Sequence, residues 1–474
     1  MALLDARGIA HSTGNRRSLD RFELALGQLN GFYLGFLETI DEALAEDPDF
    51  VGGHLLRAGV FAITNERSVE PELRRSLDAA QALAGSANER ERAHMAALRA
   101  WAEGDLQEAA DRYSRLLVEH PRDHLALQIA HQADFFLGDA RMLRDRVAWV
   151  LPHWDRDVPG YGYLLGMHAF GLEQMNLYGR AEEAGRSAVE LNPRDTWAIH
   201  AVAHVLEMQG RTDEGTGWLE TRARDWSDGN AFAFHNWWHL ALYYLDQGDT
   251  RRALGLYDER MKPGGMSGAL EMVDSSALLW RLHLRGIGVG DRWRVLADEW
   301  ERAACDGFYA FNDAHAMMAF AAEGRTGAMD RTLAALQAAA AGTSTTATMA
   351  REVGLPVARA FRAFGEGEYR LAAELLLAVR GRAHRFGGSH AQRDVLDLTL
   401  AEAAIRAGDA ALARAVAAER TDVRPSSPAN WLLAARAYDL SGEHDNAELA
   451  RRRAGADDGA SGGAVRGMDA APAN

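Results

Sequence analysis

Apolar positions recur at helical spacing along most of the chain, and the helix-like stretches alternate with one short punctuation. That punctuation is a glycine followed by Asp, Arg or Glu. It occurs at Gly104, Gly138, Gly179, Gly210, Gly248, Gly290, Gly324, Gly367, Gly408 and Gly442, with gaps of 34, 41, 31, 38, 42, 34, 43, 41 and 34 residues. A helix, a glycine turn and a second helix repeated at this period make a stack of hairpins rather than a set of separate domains.

One unit shows the pattern in full. Trp237-x2-Leu240-Ala241-x2-Tyr244 fills the first helix of a tetratricopeptide (TPR) repeat, and Ala253-x3-Tyr257 fills the second. The unit at Gly104 repeats the second-helix pattern with Ala109-x3-Tyr113 and ends at Pro121. The expected fold is an all-α, TPR-like α-solenoid, a superhelix of about eleven helical hairpins, one of them irregular around residues 30–84. The solenoid is expected to span 18–452, after an N-terminal extension 1–17 and before a Gly-, Ala- and Asp-rich disordered tail 453–474. Two inserts interrupt it. Asp258–Ser276, with KPGGMSG, is expected to be functional, as a lid; 338–350, with GTSTTAT, is the other.

Composition removes several function classes. Hydrophobic residues make up 47% and charged residues 25% of 474, as in ordinary globular proteins. A net charge of -16 argues against nucleic acid or an anionic membrane as partner. The single cysteine, Cys305, excludes an intrachain disulfide and any cysteine-built metal or cluster site. The single lysine, Lys262, follows a methionine, so no P-loop exists. No apolar run is long enough to cross a membrane and no signal-peptide pattern opens the chain, so the cytoplasm is the expected compartment.

Candidate chemistry follows from helix phase. Counting back from each turn glycine, positions 13, 10, 9, 6 and 3 face the concave groove. His200, His204 and Glu207 occupy three of them before Gly210; His235 and His239 occupy two before Gly248. Spacings of four and three place such side chains on one helix face. The same count puts Trp238, Trp280, Arg281, His94, His315 and Glu173 on the groove, and His131, His168 and His283 in the packing between hairpins.

Imidazoles with a carboxylate suit a divalent transition metal, and equally a metal-free acid–base pair. The sequence fixes no cofactor; a metal on His200, His204, Glu207, His235 and His239 is the one this pattern admits. The expected site is a His/Glu/Trp-lined pocket for a small organic molecule, with hydrolase- or lyase-type chemistry by those five residues. Trp238 and Trp280 would stack on the ligand, Arg281 would meet an anionic group, and His94, Glu173 and His315 would complete the wall. The alternative is an interaction scaffold gripping a peptide or partner protein in its groove. Ser389, in GGSH, lacks the setting of an esterase nucleophile.

Along nearly its whole length the chain resembles the tetratricopeptide repeat protein 38 family. The resemblance rests on RERAHMAALRAWAEGD around His94, HAVAHVLEMQGRTDEG, HNWWHLALYYLDQGD, MVDSSALLWRL from Met272, NDAHAMMAF around His315 and GGSHAQRDV near His390. It implies the helical-repeat fold and draws attention to the histidines of those blocks and to Asp394, while implying no particular reaction.

Overall fold

The structure is a computed structural model describing residues 2–261, 268–303 and 306–455. Lys262, Cys305, the centre of the first insert and most of the expected tail lie outside the described residues. Among the described residues the helices pair into twelve successive antiparallel hairpins, from Arg16–Asn30 with Phe36–Glu46 to Pro428–Leu440 with His444–Arg453. The extra hairpin arises because the irregular N-terminal stretch holds two: Arg16–Asn30 with Phe36–Glu46, and Val51–Thr64 with Glu70–Ala82.

The extension before them is built into the fold. Leu3–Leu4 pairs antiparallel with Ala10–His11, and Asn88 and Arg90 donate to the Ala10 carbonyl. The first helix begins at Arg16, capped by the Asn15 side chain.

Nine of the ten predicted turn glycines sit in the left-handed region, where a side chain is strained. Gly179 does not. Asn176, φ 59°, makes that turn, since asparagine tolerates the conformation, and Gly179 lies inside the helix Tyr178–Leu191. The helix Ala269–Leu284 is likewise closed by Gly286, φ 72°, four residues before Gly290, a shift of about one helical turn that leaves its faces nearly where the count from Gly290 puts them.

Inner and outer helices differ in the way their positions predict. Outer helices such as Leu106–Glu119 bury one face. Inner helices such as Thr196–Met208, Ala269–Leu284 and Ala310–Ala322 are buried nearly all round, as a central helix must be.

They are enclosed because successive turns of the superhelix touch. Asn230 donates to the Gly31 carbonyl at 2.8 Å, the Ala269 N–H to Glu66 at 2.7 Å, Arg67 to Asp306 at 2.8 Å, and Thr345 to Asp105 at 2.6 Å. These partners are 199, 203, 239 and 240 positions apart, a turn of roughly six hairpins. The Thr-rich insert is thus a strut, whose short helix Thr345–Met349 docks on the Gly104 turn. The C-terminal helix His390–Arg406 closes the interior over Ala269–Leu284 and Thr196–Met208.

Candidate functional site

The helices Thr196–Met208 and Ala233–Asp246 are neighbouring inner helices, and each carries histidines four residues apart. Asp195 caps the first by accepting from the Ala198 N–H, which fixes where its histidine face begins. The two faces meet. His200, His204, His235 and His239 form one cluster, with potential ligand atoms all within 4.8 Å of one another. Ring centroids are 4.5 Å apart for His200–His204, 4.4 Å for His204–His239, 4.8 Å for His235–His239 and 4.9 Å for His200–His235.

Convergence is as predicted, but the setting is not. The phase count placed these rings on an open groove. All four are at most 3% exposed, because the closed superhelix fills its own concave side. Phe170 stacks on His200 at 5.4 Å, Phe232 meets His200 and His235, and Trp238 stacks on His235 at 5.2 Å. Trp238 is therefore a wall of the cluster, fully buried.

Carboxylates stand behind three of the rings. Asp274 Oδ2 lies 2.6 Å from His235 Nδ1, Glu207 Oε2 lies 2.9 Å from His239 Nδ1, and Glu173 Oε2 lies 3.6 Å from His204 Nδ1. A carboxylate on one ring nitrogen fixes the tautomer and aims the other nitrogen's lone pair. His239 Nε2 and both nitrogens of His200 and His204 have no hydrogen-bond partner. Each unpartnered buried group of this kind costs about 1–3 kcal/mol.

Burial holds His200 and His239 well below the usual histidine range, so both rings are neutral and able to bind a metal. Burial also pushes Glu207 up to about 7 and raises Asp274, against the opposing pull of His204 and His235 respectively. For Glu173 burial acts upward too, yet His204 and His390 outweigh it and hold the carboxyl at about 2.

The donor set fits a divalent transition ion: four imidazoles, three with carboxylate support. With ligand atoms up to 4.8 Å apart, the cage is wider than a closed tetrahedral shell, whose nitrogens stand about 3.3 Å apart.

Asp274 was missed by the sequence reading. Its only signal was a lone acid in the apolar run MVDSSALLW, one helix beyond the histidines.

Other predicted wall residues lie elsewhere. Trp280 packs on Phe361 and Phe364 and donates to Thr399 at 2.9 Å; the groove side of its helix is filled by the helices Leu355–Gly365 and His390–Arg406. His94 joins Arg90 and Asp123, 2.9 Å from the Asp123 carboxylate, in a separate buried network. His315 is bonded through Nδ1 to the Phe311 carbonyl of its own helix at 2.8 Å. Asp394 pairs with Arg420 and Arg424. His390 faces Glu173 from the far side, 3.6 Å away. Of the three expected packing histidines, His131 is buried, while His168 and His283 are half-buried and His283 stacks on Trp280. Ser389 caps the helix His390–Arg406 with Gln392 in a capping box.

Two cavities flank the cluster. One, about 690 Å³, has Glu207 and Arg281 in its wall; the other, about 790 Å³, has His390 and Arg393. The first reaches His239 through Glu207; the second is separated from His204 by His390 and, behind it, Glu173. No helix among the described residues is long and apolar enough to cross a membrane.

No family model matches the chain. Similar solved structures include the human IFIT1 dimer with PPP-AAAA, at 14% identity over 92% of this chain and 94% of that one, with a TM-score of 0.42. Yeast Tom70 follows at 14% identity, covering 92% and 88%, with a TM-score of 0.32. The P58(IPK) TPR domain has 11% identity, covering 79% and 95%, with a TM-score of 0.22. Overlays this loose transfer no residue and no ligand, and it is the twelve hairpins themselves, with their glycine turns, that make this chain an all-α, TPR-like solenoid.

Proposed function

We propose that this chain is a helical-repeat metalloprotein that holds one divalent transition ion on His200, His204, His235 and His239. The observation that carries the reading is the convergence of the four rings inside a buried core, with His239 Nε2 and both nitrogens of His200 and His204 unpartnered and with Asp274, Glu207 and Glu173 behind the rings. Leaving such nitrogens without partners has a cost that an ion removes. The resemblance to the tetratricopeptide repeat protein 38 family centres on the same histidine blocks and belongs to this reading.

Four imidazoles on the ion close its shell, as in a structural site; three leave a position open for chemistry. In the open form the His239–Glu207 pair, whose carboxylate reaches the 690 Å³ cavity, would move protons for a small organic molecule entering there. Hydrolase- or lyase-type chemistry fits that arrangement.

Elemental analysis of protein made without a histidine tag tests the reading. One transition-metal equivalent per chain, lost in His204→Ala with helix content retained, supports it. Metal-free protein that also takes up no added Zn, Ni, Co or Cu overturns it. The docking-scaffold reading retains the support of the repeat architecture itself, and a co-purifying peptide or protein with no metal would favour it.

A further inference from the structure

The cavity beside Glu207 lies where the helices Ala233–Asp246 and Ala269–Leu284 meet the C-terminal hairpins. At about 690 Å³ it has the size of a small-molecule site. Its wall carries six arginines against four carboxylates.

Four of those arginines are paired two to a carboxylate. Arg420 and Arg424 share Asp394 at 2.7 and 2.9 Å, and Arg406 and Arg436 share Glu402 at 2.7 Å each. Arg281 and Arg285 are placed differently. Arg281, 5% exposed, donates only to backbone carbonyls, Ala277 at 3.0 Å and Ala391 at 2.6 Å. Arg285, at the exposed rim, donates to the Leu245 carbonyl at 2.7 Å. Neither forms an ion pair with a carboxylate among the described residues.

A buried guanidinium with no carboxylate in contact is costly. Burial lowers Arg281 to about 10, and Asp394 and Glu207, which pull the other way without pairing with it, do not fully offset that. The same wall includes Leu242, Leu284, Leu398 and Leu433. Guanidinium groups beside apolar side chains in one cavity match an organic acid better than a neutral metabolite.

We propose that this cavity binds a small organic acid, whose carboxylate or phosphoryl oxygens are held by Arg281 and Arg285. This deepens the reading above by giving its small molecule a charge class, and it rests on charges present whether or not an ion occupies the histidines. Arg281 also lies 5.5 Å from the centre of the Trp238 ring, so a bound anion would sit one side chain from the histidine cluster.

The test is calorimetric titration of the full chain, chelator-treated and metal-loaded, with succinate, inorganic phosphate and glycerol phosphate, and with neutral succinamide as control. At least one anion is expected to bind one per chain with a millimolar or tighter Kd, and succinamide is not. The carboxylate and phosphoryl arms tell the two sources apart. Arg281→Gln is expected to weaken binding at least tenfold, whereas Arg75→Gln, on an exposed outer helix, leaves it unchanged. Should Arg281→Gln fail to fold, Arg285→Gln at the rim carries the same expectation of a several-fold loss. Absence of binding by every anion, or binding equal in Arg281→Gln and wild type, overturns the proposal. Anion binding in chelator-treated protein upholds it even if no metal is ever found, and metal uptake without anion binding sinks it alone.

Discussion

Replacing Asp274 by Asn separates support of a metal from support of the fold. The carboxylate is fully buried, 2.6 Å from His235 Nδ1, on a helix that carries none of the four histidines. Asparagine keeps the shape, and its carbonyl oxygen still accepts from Nδ1–H, so Nε2 still presents its lone pair to the cluster. Only the negative charge is lost. Beside a dication in a dry site, a second partner of this kind is worth roughly 10- to 100-fold in metal affinity, or about 1.4–2.7 kcal/mol. Without metal the change removes a costly buried charge as well as strengthening from it, so melting of the metal-free protein should move little. Competition against a chromophoric zinc chelator at one fixed pH measures the first quantity, and thermal melting of chelator-treated protein the second. Equal zinc affinity in Asp274→Asn and wild type, within twofold, would refute the assignment. So would a loss of affinity matched by an equal collapse of the metal-free fold.

Three further outcomes are expected. Burial holds His131 at about 3, against 6.5 when unfolded, so stability is intact above pH 6.5 and is lost as pH falls toward 3; His131→Leu should therefore raise the melting temperature at pH 5 by clearly more than at pH 8. Gly138→Ala should destabilise by about 2–4 kcal/mol, because φ is +65° and the new Cβ would meet the His384 carbonyl oxygen at 1.7 Å; Gly408→Ala, φ +72° in open space, should cost only about 1 kcal/mol in the same denaturant titration. Trp280→Ala should cost about 3–5 kcal/mol of stability as a core cavity while leaving zinc affinity unchanged, which chelator competition reads directly.

The local rules of this fold were legible in the residues. Glycine punctuation gave the hairpins, and four-residue spacing gave two histidine faces that do meet. What local pattern could not give was the pitch of the superhelix. Whether the concave side is open or filled depends on pairs such as Asn230 with Gly31 and Thr345 with Asp105, some two hundred residues apart. The same holds for Asp274, which reaches His235 only because the next inner helix packs alongside. Trp280 shows the same failure: it is on a groove position whether counted from Gly290 or from Gly286, yet the groove there is filled by Phe361, Phe364 and Thr399 from helices some eighty to one hundred and twenty residues further on. Asn176 standing in for Gly179 shows that a turn need not keep its usual residue, provided the side chain tolerates a positive φ.

X-ray absorption at the metal edge of the loaded, untagged protein tests the central claim most directly. The account predicts one ion whose first shell holds three or four imidazole nitrogens at about 2.0–2.1 Å, with the imidazole count reduced in His204→Ala. A shell of oxygens alone, or a spectrum unchanged by that substitution, would contradict it.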